Sequence, residues 1–240
     1  MQTDPFKNFA RMALSPWRER GFAETLRSIH ACMHAQRHER IDAFDARHGT
    51  DTGRHLSLEA LRVSGQDVPA LWRYFPTLEA PFRRMLAALP IRFEDHAFID
   101  LGSGKGRALL LASERPFRRI FGVELSPRLH RVALRNIDIY RSPQQRCRAF
   151  ELLCMDAADF SPPAIPAVFY LFQPFPRETM AAVLDRMRTS LRTCERELAI
   201  VYLNPIFHDS IMETGLFAHH VTGAAQRPGE FDWTIYLHRP

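Results

Sequence analysis

The stretch AFIDLGSGKGRALLLASE, residues 97–114, constrains the chain more than any other. A short apolar run is stopped by glycines at alternate positions, Gly102, Gly104 and Gly106, and a helical run, RALLLASE (107–114), follows at once. Glycines there let the backbone turn sharply and come close to a ligand. From residue 97 onward the chain keeps this rhythm. RIFGVE (119–124), AFELLC (149–154), AVFYLF (167–172) and ELAIVYL (197–203) read as further buried-type strands. Between them, Ser126 caps and Pro127 opens a helix to about Tyr140, and another helix covers 177–192. Strands and helices in alternation argue for a parallel sheet covered on both faces. The end differs: GLFAHHV (215–221) and FDWTIYL (231–237) are joined by nine residues, too few for a helical crossover, so these two strands are expected to be antiparallel.

Upstream the texture is different. Phe22, Leu26, Ile29, Met33, Ile41 and Phe44 recur at helical spacing over 22–47, and Gly49 marks the end. His30, His34 and His38 form a row along that helix. No carboxylate or cysteine is placed to complete a metal site, so the row reads as a solvated face and no metal is expected. Residues 49–76 are loop-rich. A second helix follows, with Thr77 as its expected N-cap, Pro81 in the first turn, a stripe of Leu78, Phe82, Met85 and Leu89, and Pro90 at its end. The chain thus divides into a helical N-terminal cap with a connecting segment (1–96) and an α/β core domain (97–240).

Composition narrows the setting. The chain has 240 residues and 46% of them are hydrophobic, enough for a core of useful size. No apolar run approaches the roughly 18 residues that cross a bilayer. The first twenty residues carry no long apolar stretch of the secretory kind, and the four cysteines form no CxxC pair. A cytoplasmic protein with reduced thiols and no membrane partner is expected. The net charge is +5, and Lys7 and Lys105 are the only lysines. Arginines are spread along the chain without a basic block, so a nucleic-acid partner is not indicated.

The glycine loop can be tested against known ligand chemistries. A Walker A loop needs GxxxxGK followed by Ser or Thr; here Gly106 follows Lys105 and Ile99 stands at the first glycine. A dinucleotide fingerprint is GxGxxG, whereas this spacing is GxGxG. Asp100 also stands two residues before the first glycine, where it repels a pyrophosphate and attracts an ammonium. That attraction is on the order of 1–4 kcal/mol at about 4 Å. Glu124 ends the second strand, where an acid can accept hydrogen bonds from both ribose hydroxyls. Asp156 follows the third strand and can accept from an exocyclic adenine amine. Three acids at adjacent strand ends favour a nucleoside that bears an amino acid.

DLGSGKGR, GVELS, MDAADF and YLFQPF together resemble motifs of class I S-adenosylmethionine-dependent methyltransferases, over about residues 70–240. FIDLGSGKGRALLLA with GVELSP resembles a bacterial branch distantly similar to non-SET lysine methyltransferases, and FDARHGTDTG and YFPT look like that branch too. The resemblance implies a Rossmann-like, seven-stranded, mostly parallel sheet with an antiparallel C-terminal hairpin. It implies S-adenosylmethionine as cofactor, with Asp100, Gly102, Gly104 and Gly106 on the methionine part, Glu124 on the ribose, and Asp156 and the Ala157 backbone on adenine. Tyr74 and Thr77 are candidates to close over the cofactor. Gln173, in the loop after the fourth strand, falls beside the methyl group; N-methyltransferases often have Asn or Asp there, and an amide oxygen can accept from an amine nucleophile, a cap on the next helix being the alternative role for Gln173. The methyl acceptor, protein or small molecule, is unidentified, and an amine is the expected kind. A nonenzymatic sensor of S-adenosyl ligands is the alternative, and a dinucleotide-dependent oxidoreductase is disfavoured by Asp100 and the loop spacing.

Overall fold

The computed structural model describes residues 41–53, 75–172, 175–227 and 230–240. Two helices come first, α1 (Ile41–His48) and α2 (Glu79–Ala87). The alternating region follows: β1 (Ala97–Leu101), α3 (Arg107–Ala112), β2 (Arg119–Glu124), α4 (Pro127–Ile139), β3 (Phe150–Cys154) and β4 (Ala167–Phe172). Then come α5 (Arg177–Thr193), β5 (Leu198–Leu203), the short α6 (His208–Met212), β6 (Ala218–Gly223) and β7 (Trp233–His238).

The seven strands form one sheet in the order β3-β2-β1-β4-β5-β7-β6. The first five are parallel, and β1 lies between β2 and β4 with Leu101 opposite Val123 and Asp100 opposite Tyr170. The nine-residue link after β6 brings β7 back antiparallel, and β7 slots between β6 and β5, with Leu203 opposite Trp233. The expected α/β architecture with its antiparallel C-terminal hairpin is therefore present.

Period-two side-chain alternation divides β1 between two cores. Ala97, Ile99 and Leu101 pack beneath α5, against Met180, Val183, Leu184 and Met187. Phe98 points the other way, into a cluster with Phe82, Met85 and Leu86 of α2, Leu109 and Leu110 of α3, Phe44 of α1, Tyr140 and Tyr170. Phe44 and the α2 stripe thus belong to the same apolar cluster as the sheet. Asp100, by the same alternation, lies on the Phe98 side.

Local signals explain the boundaries. Ser126 caps α4 by accepting from the Leu129 amide at 3.4 Å, with Pro127 in the first turn. Gly49 ends α1 in the left-handed region at φ 70°. Two readings need correction. Leu78, not Thr77, occupies the N-cap position of α2, which ends at Ala87 rather than running to Pro90; the Thr77 hydroxyl instead meets the Tyr170 hydroxyl at 3.1 Å. β3 is not a covered strand but an edge strand with half-buried side chains and an exposed Cys154. Its run FELLC is apolar enough to pass for an interior strand, because one side packs on α4 while the other has no neighbouring strand. The row His30, His34, His38 and the 22–40 part of the first helix lie outside the described residues.

Candidate ligand-binding site at the glycine loop

The loop between β1 and α3 is held in shape by backbone conformation and by β2. Gly102, Gly104 and Gly106 all have positive φ, at 89°, 54° and 87°. A side chain at Gly106 would meet strain and also the Cβ of Ala133 on α4 at 3.3 Å. The Gly102 and Ser103 amides donate to the Val123 carbonyl at 2.8 and 3.0 Å, and the Gly106 amide donates to the Ser103 carbonyl at 2.8 Å.

Glu124 ends β2 and grips the same loop. Its Oε2 accepts from the Gly104 amide at 2.8 Å and its Oε1 from the Ser126 amide at 2.7 Å. The residue is 8% exposed, and burial raises its carboxyl above the ordinary range, an effect the backbone hydrogen bonds oppose. One carboxylate thus ties the glycine loop to the start of α4. A carboxylate offers about four acceptor positions, so it has room for a further donor.

Asp100 is the contrasting member of the pair. It is 4% exposed, and burial first, then the charge of Glu124, pushes its carboxyl well above the ordinary range. No described residue donates a hydrogen bond to it. A buried carboxylate in this position is costly while it lacks a donor. Asp156 sits beyond β3, where its Oδ1 accepts from the Ala158 amide at 2.8 Å and caps the short 3-10 turn Ala157–Asp159. Asp100, Glu124 and Asp156 therefore come to the C-terminal edge of three neighbouring strands, as their spacing predicts. Thr77 is buried and lies against Tyr170, the strand neighbour of Asp100. Tyr74 and Gln173 lie outside the described residues.

Several residues that build this region were not singled out from the sequence. Tyr170 carries the Thr77 contact; period two in AVFYLF places it on the Val168 side, which is the only signal it gave. Asn136 of α4 donates to the Lys105 and Asp51 carbonyls at 2.8 and 3.1 Å and accepts from the Asp51 amide at 2.8 Å. A buried asparagine in a helix has no local signature. Among the described residues no group of three or more His, Cys, Asp or Glu is placed to hold a metal ion.

No family model and no curated protein matches the chain. Solved structures do resemble it. The 23S rRNA methyltransferase ErmE is 17% identical, covers 70% of each chain and gives a TM-score of 0.48. Magnesium protoporphyrin IX methyltransferase from Synechocystis PCC 6803 with S-adenosylmethionine bound is 12% identical over 68% of this chain and 77% of that one, with a TM-score of 0.46. The ribosomal protein L11 methylase from Lactobacillus delbrueckii subsp. bulgaricus is 10% identical over 66% of this chain and 77% of that one, with a TM-score of 0.47. Likeness at this level says nothing of the reaction or the acceptor.

Proposed function

We propose that the chain is an S-adenosylmethionine-dependent methyltransferase acting on an amine. The observation that carries the reading is Asp100, a buried carboxylate to which no described residue donates, set beside a loop of three positive-φ glycines and one strand from Glu124. An α-ammonium would supply Asp100 with a donor that no described residue provides. A ribose supplies hydroxyls for the remaining lone pairs of Glu124. Glycines without Cβ atoms leave the backbone open to close approach. A pyrophosphate would instead add negative charge beside two buried carboxylates, which is why the dinucleotide reading is disfavoured.

In this reading Asp100 and the Gly102–Gly106 loop hold the methionine part, Glu124 the ribose, and Asp156 with the Ala157 backbone the adenine, while Tyr74 and Thr77 close the site. When bound, the sulfonium would supply an activated methyl group, the N–CH3 bond to the amine forming in line as the S–CH3 bond breaks and the neutral thioether leaves. The protein's task is alignment and exclusion of water, worth up to roughly 7–11 kcal/mol in favourable cases. Gln173 follows β4 and is proposed to accept a hydrogen bond from the incoming neutral amine. Gln173→Ala then lowers turnover about 10²-fold through lost alignment, with cofactor affinity nearly unchanged.

The test is incubation with radiolabelled methyl donor and a lysate separated into protein, nucleic acid and small molecules. Label transferred to an amine in the protein or small-molecule fraction supports the reading. Tight donor binding without transfer to any fraction replaces it with the nonenzymatic sensor.

A further inference from the structure

The segment Phe44–Gly53 is folded around one carboxylate and fastened to the glycine loop. Asp45 accepts from the Thr50 hydroxyl at 2.6 Å, the Thr52 hydroxyl at 2.6 Å, the Thr52 amide at 2.9 Å and the Gly53 amide at 2.6 Å. Burial of Asp45 alone would raise its carboxyl, but these hydrogen bonds together hold it below the ordinary range. The knot so formed presents three groups outward. The Thr52 hydroxyl accepts from Arg107 Nε at 2.5 Å. The Phe44 ring lies under the Arg107 guanidinium, 4.5 Å from its carbon, and Arg107 is also 3.6 Å from Asp45. Asp51 Oδ1 accepts from Lys105 Nζ at 3.0 Å, and the Asp51 backbone exchanges two hydrogen bonds with Asn136.

Every one of these fasteners ends on the loop or beside it. Lys105 is the residue between Gly104 and Gly106, and its side chain is fully buried. Arg107 is the first residue of α3, 3% exposed. Asn136 joins the two sides by donating to the carbonyl of Lys105 as well as to that of Asp51. A loop of three glycines has high conformational freedom of its own. Two long basic side chains also lose rotamer entropy when fixed. An arrangement that buries both against one folded segment over 50 residues upstream restricts the loop far more than a surface pair would.

We infer that residues 44–53 are a positioning element of the ligand site: Asp45, Asp51 and Thr52, acting through Lys105, Arg107 and Asn136, hold the Gly102–Gly106 loop in its binding conformation. The inference rests on the proposed S-adenosyl-ligand reading for what the loop binds, but not for how the loop is held. It gives the upstream segment a role at the cofactor rather than at the acceptor. A loop held in advance spares the ligand the cost of ordering it.

Thr52 offers the cleanest test, because Thr52→Val keeps the shape and removes the hydroxyl, whereas Thr52→Ser keeps the hydroxyl. Amide hydrogen exchange is read on the full-length chain without ligand, and S-adenosylhomocysteine binding is read by calorimetry. Expected for Thr52→Val is faster exchange at residues 102–107 with β4 and β5 unchanged, and an affinity loss of about tenfold, near 1.4 kcal/mol. Thr52→Ser restores both. Unchanged exchange at 102–107 overturns the inference, as does faster exchange across the whole sheet, which marks Thr52 as ordinary core. Wild-type protein that does not bind S-adenosylhomocysteine removes the ligand reading, while the exchange contrast still decides whether the segment holds the loop.

Discussion

The two faces of the sheet bury very different things. Beneath α5, the covering residues Met180, Val183, Leu184, Met187 and Leu191 meet Ile99, Leu101, Phe169, Leu171 and Ile200, all of them apolar, with one buried charge, Arg196, bonded to Ser190 at the end of that helix. On the other face, beside Phe82, Phe98 and Leu109, the fold also buries Asp100, Lys105, Arg107, Glu124 and Asn136. Burial of apolar surface stabilises, at about 25 cal/mol per Å². Burial of charge costs unless it is paired and hydrogen-bonded. Lys105 and Arg107 have partners in the 44–53 segment and Glu124 has two amides; Asp100 has none among the described residues. Strand β1 serves both faces at once, with Ile99 and Leu101 on one and Asp100 on the other. The first face buries mainly apolar groups, and the second carries the cost of buried charge, which the proposed function assigns to a ligand.

The contrast breaks if a change on the α5 face alters ligand affinity. Leu184→Ala removes a 4%-exposed side chain and leaves a cavity. It is expected to cost about 2–5 kcal/mol in urea unfolding, with S-adenosylhomocysteine affinity of the folded protein unchanged.

Asp100→Asn tests the other face and has effects of opposite sign. Ligand affinity falls by about 1–4 kcal/mol, the attraction of an ammonium at close range. The melting temperature without ligand rises, because a carboxylate with a burial cost is gone. The pH dependence follows from the raised carboxyls of Asp100 and Glu124. Over the range between the ordinary carboxylate value and these raised values, the folded chain holds more protons than the unfolded chain. Stability from these groups is therefore fully present at acid pH and is lost as pH rises through the raised values. Melting curves across that range should show the gap between Asp100→Asn and wild type widening as pH rises. A gap that is constant with pH contradicts the assignment of the cost to Asp100.

Glu124→Ala sharpens the comparison, since this carboxylate holds the glycine loop and, in the proposed function, also the ribose. Loss of the acceptor for the Gly104 and Ser126 amides costs about 1–3 kcal/mol, and affinity falls by a similar amount, about 1.5–3 kcal/mol, with the ribose acceptor. Calorimetry and denaturation on the same sample separate the two. The smallest effect is expected at the edge of the sheet, where Arg119 and Glu151 form an exposed pair at 2.9 Å. Arg119→Ala should change stability by less than about 1 kcal/mol and leave binding alone.

Much of the α/β layout was legible in the residues. AFIDL, RIFGVE and AVFYLF coincide with β1, β2 and β4, because an interior parallel strand is apolar on both sides and is stopped sharply by glycine or proline. The nine-residue link announced the antiparallel hairpin, though not that β7 inserts beside β5. The three acids could be placed by spacing alone, since strand ends fix their positions. What spacing could not show was how they are partnered. That Glu124 is tied to two amides while no described residue donates to Asp100 depends on side-chain direction after a tight turn. Thr77 misled because a Thr before a helix has the composition of a cap, yet its hydroxyl finds Tyr170 more than 90 residues away. The fastening of Asp45, Asp51 and Thr52 onto Lys105 and Arg107 spans more than 50 residues and leaves no periodic trace.

In the proposed function the buried carboxyl of Asp100 serves an ammonium-bearing S-adenosyl ligand. Calorimetric titration of the wild-type chain with S-adenosylhomocysteine and with NAD, at several pH values, tests it most directly. The account predicts micromolar binding of S-adenosylhomocysteine, on the order of −8 kcal/mol, that tightens as pH rises through the raised value of Asp100 while the ligand amine stays protonated, and no comparable binding of NAD. Equal or tighter binding of NAD, or S-adenosylhomocysteine affinity that ignores pH and survives Asp100→Asn, would contradict it.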